Sequence, residues 1–231
     1  MTNTLLERTK CKTGIILETV FGTGFIANLR YNTLVNQKEV LRMTTKSKFT
    51  TRKIVFIALM AALTCVGSAI RVTLPLDIAG TTSFHLGNIF CALSGILLGP
   101  WAGALAAGLG SALYDMTNPL YISEAWITFL MKAAYGLAAG AVAFAGKKEC
   151  GYGKAVLSAF AGALTYAIIY LAKSYFYGGL LIAGLTPDAA WVTVLGKLPA
   201  TIFNMAVAII FAPILAKAIS AALKKNHLNM N

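Results

Sequence analysis

Charge is scarce in this sequence. Asp, Glu, Lys and Arg make up 12% of 231 residues, 58% are hydrophobic, and mean hydropathy is +0.71. That composition excludes an ordinary soluble globular domain. Acids are scarcer still, eight against twenty Lys and Arg, for a net charge of +12. The surplus does not point to nucleic acid, because no basic helix and no interleaving of basic with aromatic residues accompanies it. The four cysteines, Cys11, Cys65, Cys91 and Cys150, show no CxxC spacing and fall mostly in apolar or cytoplasmic stretches. They indicate neither a disulfide framework nor a metal site. Catalytic patterns are missing too: no HExxH, no GxSxG, and no paired carboxylates within one apolar segment. The stretch GAVAFAGKK at 140–148 superficially suggests a phosphate loop. It has five residues between its glycines instead of four, no Ser or Thr after the lysine and no preceding strand. The chain is therefore expected to hydrolyse no ATP by itself, and to carry no cofactor.

What the sequence does contain is a regular placement of its few charges. From Met43 on, basic clusters at 46–53, 147–154 and 217–225 alternate with connections holding Asp77, Asp115, Glu124 and Asp188. Lys and Arg accumulate in cytoplasmic loops, so both termini are placed inside and the acidic connections outside. Between them lie six apolar segments, at about 54–70, 84–98, 101–114, 125–145, 155–171 and 192–216. The expected fold is an all-α integral membrane protein, six transmembrane helices in a compact bundle, since only closed structures satisfy their backbone in lipid. The second and third segments are shorter than the roughly 20 residues a crossing needs, so they either recruit flanking polar residues or tuck into the bundle. Residues 1–42 have no span-length run and no signal-peptide pattern. Lys38-Glu39-Val40 can be encoded with a ribosome-binding sequence just ahead of Met43, so 1–42 is expected to be a translated leader. The alternative is a disordered cytoplasmic extension.

Polar groups gather at the outer ends of the segments. His85 and Asn88, in TSFHLGN, open the second and are expected to share a helix face. Asp115 and Asn118 close the third. Tyr121, Glu124 and Trp126 begin the fourth, with Lys132 two turns inside it. Lys173, Tyr175 and Tyr177 close the fifth, and Lys197, Pro199 and Asn204 occupy the outer part of the sixth. Each has a plainer reading. Tyr175 and Trp191 suit an interface belt, Lys173 and Lys197 can snorkel, and Lys132 can pair internally with Asp115 or Glu124. His85 can bond to backbone at a helix start, and Asn204 can tie two helices. Ionisable groups at membrane depth are nonetheless costly, and their convergence describes a pocket for a small, polar, heterocyclic solute. Small residues four apart, Gly99/Gly103, Ala104/Gly108 and Gly136/Gly140, fit close helix packing. Ala58 and Ala62 lay a smooth stripe on the first helix that could dock another membrane protein.

With these residues in view, the chain resembles the S components of energy-coupling factor (ECF) vitamin transporters, in their riboflavin/hydroxymethylpyrimidine-type branch. The likeness rests on six spans, the Ala58/Ala62 stripe and the stretch TSFHLGNIFCALSGILLGPWAGALAAGLGSALYD at 82–115. It implies that 43–231 forms a substrate-binding domain in a bacterial plasma membrane. Such a subunit captures a vitamin or precursor (riboflavin, hydroxymethylpyrimidine or thiamine-related, pyridoxine-like or a cobalamin precursor). It delivers the solute through a transmembrane T component driven by two cytoplasmic ATPases. The resemblance assigns Ala58 and Ala62 to T-component docking and Arg71 and Asp77 to a lid loop. It supports Lys132, Tyr135, Tyr177, Lys197 and Asn204 as pocket residues. His85, Asn88 and Asp115 lie in the matching string, either touching ligand or bracing the fold; Tyr121, Glu124 and Lys173 complete the outer polar set. Two rivals differ in class. A self-sufficient secondary transporter or channel would show an internal repeat and broken mid-membrane helices. A small membrane enzyme using Asp115 and Glu124 as metal ligands would need an acid cluster of the DDxxD kind.

Overall fold

The computed structural model describes residues 51–75, 81–146 and 150–225. The expected leader at 1–42 and the candidate lid residue Asp77 lie outside them. Helix α1 spans Thr51–Ala69, and strands β1 (Arg71–Pro75) and β2 (Thr81–His85) follow. Then come α2 (Gly87–Leu98), α3 (Pro100–Thr117), a 3-10 turn at Ile122–Glu124, and α4 (Ala125–Phe144). Helix α5 (Tyr152–Lys173) continues directly into a π-helical segment, Ser174–Ile182, and α6 (Pro187–Lys225) completes the bundle. The 3-10 and π segments adjoin helices, as such turns commonly do.

Two expectations change. The connection between the first two helices is an antiparallel β-hairpin, with Arg71 opposite His85 and Pro75 opposite Thr81. It takes residues 84 and 85 out of the second helix, which starts only at Gly87. His85 and Asn88 therefore do not share a helix face. The six expected helices are present. Among the described residues, four helical stretches are long and apolar enough to cross a membrane: Thr51–Ala69, Ile122–Phe144, Tyr152–Ile182 and Pro187–Lys225. Helix α2, at 12 residues, is only about 18 Å long. It need not meet lipid, because every residue in it but Phe90 is buried. It runs through the middle of the bundle and touches α1, α3, α4, α5 and α6. Outward positions elsewhere are themselves apolar, including Leu59, Leu113, Ile168, Phe203 and Ile210. A soluble protein of this size would leave fewer large apolar side chains on its outer surface.

The centre of the bundle is held by close backbone approach. Gly99, at φ +86°, makes the reversal between α2 and α3, and Pro100 starts α3 at a position where its missing N–H costs nothing. Beyond this turn, α2, α3 and α4 meet through glycines. A Cβ on Gly103 would lie 2.6 Å from the Gly95 Cα, and one on Gly136 2.5 Å from the Gly103 carbonyl oxygen. A Cβ on Gly140 would lie 2.5 Å from the Pro100 nitrogen. Backbone cannot yield as a flexible side chain does, so these three helices are packed as tightly as their main chains allow. We expect Gly136→Ala to destabilise the detergent-purified protein by about 1–3 kcal/mol through overpacking, read as a lowered unfolding temperature. Gly153→Ala, where nothing lies within 4 Å, should leave that temperature unchanged or slightly raised.

Candidate functional site

At the end of the bundle nearest the hairpin the helices part around a cavity of about 350 Å³. The hairpin is fixed there by side chains. Asn204 of α6 accepts the His85 N–H through Oδ1 at 3.0 Å and donates Nδ2 to the Ser83 carbonyl at 2.8 Å. Beside it the Phe84 ring meets Phe203 edge-on at 5.1 Å. The other strand is anchored by Arg71, whose Nε donates to the Ser68 carbonyl at 3.0 Å. Its guanidinium lies 4.4 Å from the Tyr114 ring centroid and 4.7 Å from that of Tyr121. A planar, weakly hydrated cation stacks well between aromatic faces.

One wall of the cavity is a column of tyrosines. Tyr135, Tyr166 and Tyr170 stack in succession, with centroid separations of 5.8 and 5.6 Å. Tyr166 and Tyr170 are one helical turn apart on α5 and line the cavity; Tyr135, fully buried, backs them. Lys132 lies 3.8 Å above the Tyr166 ring and donates Nζ to Asn88 Oδ1. It is 3% exposed, so this pairing with a neutral amide and an aromatic face replaces its water. At the far end, Lys173 and Glu124 form the one ion pair among the described residues. Lys197 donates to Ser174 Oγ at 3.5 Å and lies over the Tyr170 ring, 6.0 Å from its centroid.

Of the residues expected at the site, Arg71, His85, Asp115, Tyr121, Glu124, Lys132, Lys173, Lys197 and Asn204 line this one cavity. Asn88 stands behind Lys132, Tyr135 behind Tyr166, and Tyr177 beside Lys173 outside the lining, its centroid 5.7 Å from Nζ. The alternative ion pair of Lys132 with Asp115 or Glu124 is not formed; Asn88 takes that place, and Glu124 binds Lys173. Nor do Lys173 and Lys197 snorkel: both turn to partners inside the site. Sequence reasoning missed Tyr166 and Tyr170, whose i, i+4 spacing was the available signal. It also missed the hydroxyls of Ser68, Ser111, Thr128, Ser174 and Thr201, which carry no such signal.

The arrangement offers a flat aromatic wall, hydrogen-bond donors of both charged and neutral kinds, and no assembled metal cluster among the described residues. It suits binding a small ring-bearing solute. Comparison with known proteins agrees in kind. The family model described as "ECF-type riboflavin transporter, S component" matches residues 48–221. A curated protein of Pyrococcus woesei, described as an uncharacterized protein in the gap 3′ region, is 29% identical over 114 residues. The match covers 49% of this chain and 72% of that protein.

His85, in the hairpin, gives the site a pH signature. Burial first, then the nearby Lys132 and Arg71 charges, holds its imidazole well below the ordinary 6.5, and its Nδ1 has no partner among the described residues. Below pH 6.5 the unfolded chain takes up a proton that the folded site refuses, so stability falls as pH is lowered and the contribution vanishes above that value. We expect unfolding temperatures measured from pH 7.5 to 5 to drop more steeply in the wild type than in His85→Gln.

Proposed function

The chain belongs to the family of ECF-type riboflavin transporter S components, and on that premise we propose that it captures a vitamin or vitamin precursor at the outer face of a bacterial plasma membrane. The observation that carries this reading is a polar, tyrosine-walled cavity of vitamin size inside an otherwise apolar, multi-pass bundle. Capture needs no covalent step. Lys132, Lys197, Asn204 and the carboxylates supply directional contacts, Tyr166 and Tyr170 a stacking face, and the hairpin a cover over the mouth. Arg71 fixes the base of that cover.

Transport then requires partners. No phosphate-loop pattern equips this chain to use ATP, so we assign the work to two cytoplasmic ATPases acting through a T component. The docking face is on α1. Ala58 and Ala62 are exposed there, among the exposed Val55, Leu59 and Val66, leaving a shallow apolar strip into which a partner helix fits closely. By the distribution of basic residues we assign both termini to the cytoplasm.

The test is uptake of labelled vitamins by cells expressing the chain with and without the T component and ATPases. Uptake that persists undiminished with inactivated ATPases would sink the proposal in favour of a self-sufficient carrier. The double variant Ala58→Trp, Ala62→Trp should lose uptake and co-purification with the T component. It should keep vitamin binding by thermal shift; loss of binding as well would remove the docking assignment.

A further inference from the structure

The fixed charges around the cavity do not balance, and the imbalance describes the ligand. Among the described residues four cations line it, Arg71, Lys132, Lys173 and Lys197, against two carboxylates, Asp115 and Glu124. Arg71 lies at the Tyr114 and Tyr121 rings, Lys132 over Tyr166, Lys197 over Tyr170, and Lys173 is paired with Glu124. In an apolar bundle such an excess is costly, because neither bulk water nor counter-ions screen it well.

Three of the four cations are already engaged. Glu124 neutralises Lys173, Asn88 and the Tyr166 ring hold Lys132, and Ser68 with two tyrosine rings holds Arg71. Lys197 is different. Its ammonium has three donors, and its hydrogen bond to Ser174 is stretched to 3.5 Å, the outer limit for such a bond. It borders the cavity over the Tyr170 ring, so a flat solute lying along Tyr166 and Tyr170 would bring its edge to that ammonium.

We infer that the ligand of this site is an organic anion, a flat heteroaromatic ring bearing a carboxylate or phosphate, and that Lys197 receives the anionic group. The inference rests on the capture function proposed above and narrows its substrate class. A neutral ring would gain the aromatic contact but leave the excess of cations uncompensated. An anion gains a charge-assisted hydrogen bond and relieves the excess at the same time. Because the site is set within the bundle, the attraction is screened by salt less than a surface pair would be, yet it retains a measurable salt dependence.

The experiment measures binding of matched pairs to the full chain in detergent by calorimetry. Nicotinamide against nicotinate reads the carboxylate, while riboflavin against riboflavin 5′-phosphate and pyridoxal against pyridoxal 5′-phosphate read the phosphate. The expected result is a preference of about tenfold or more for the anionic member of at least one pair, weakening as salt is raised. Lys197→Met should cut that anion-to-neutral ratio toward one, and Lys197→Arg should restore most of it. Equal or tighter binding of the neutral member in every pair that binds overturns the inference and leaves the capture function standing. Binding by no member overturns it too, and the ATPase-dependence of uptake then decides the capture function separately. A preference that survives intact in Lys197→Met overturns the assignment of Lys197. Should Lys197→Met fail to fold, the salt dependence of the two members in the wild type decides alone: a salt effect confined to the anion supports the inference, and none overturns it.

Discussion

Everything in this bundle depends on three helices meeting backbone to backbone. Where α2, α3 and α4 converge at Gly95, Gly103, Gly136 and Gly140, no side chain separates them. In lipid, apolar surfaces gain little by hiding from a solvent as apolar as themselves, so close van der Waals contact has to supply what the hydrophobic effect supplies in water. The glycine seam concentrates that contact at the end remote from the hairpin. Toward the hairpin the same helices carry Asn88, Ser111, Asp115, Thr128 and Lys132 in place of glycine. These larger polar side chains hold the helices apart, and the cavity occupies the space between them. A tight seam at one end thus makes an open site at the other compatible with a stable fold.

The site obeys a second constraint, that a polar group away from water needs a partner. Lys132 shows how the chain meets it without a counter-charge. An amide oxygen and an aromatic face share the ammonium. Neutral partners hold a cation in place without cancelling it, so the field at the cavity survives. A salt bridge at the same position would have been electrostatically silent toward a solute.

Much of this was legible in the sequence, and the rest was illegible for identifiable reasons. Apolar runs bounded by basic clusters marked the helices, and Gly99-Pro100 marked the reversal between α2 and α3. Nine of the expected residues do converge on one cavity, because ionisable groups in apolar segments seldom lack an interior destination. The hairpin was not seen. Thr81–His85 runs straight into the apolar α2, and nothing in its local pattern marks where strand yields to helix. The partner of Lys132 was missed because an opposite charge was sought, whereas the side chain that binds it is a neutral amide 44 residues away. Tyr166 and Tyr170 are unremarkable in an apolar segment; only the packing of α5 against α4 turns them into a wall. The second segment was legible in part: it is too short for an ordinary crossing, and of the two expectations for it, tucking into the bundle is what α2 does, enclosed by the other helices.

Asn204 has a consequence of another kind. In a parallel β-ladder one residue's peptide groups accept the N–H and donate to the C=O on either side of the residue opposite. The Asn204 side chain does the same to strand β2, taking the N–H of His85 and giving to the carbonyl of Ser83, with Phe84 between. Its amide is a peptide bond in miniature, and α6 thereby lends the two-stranded sheet a third strand one residue long. That edge of the hairpin is closed to any further chain that might pair with it. Because both bonds belong to one planar group, removing that amide removes both ties between β2 and α6 at once.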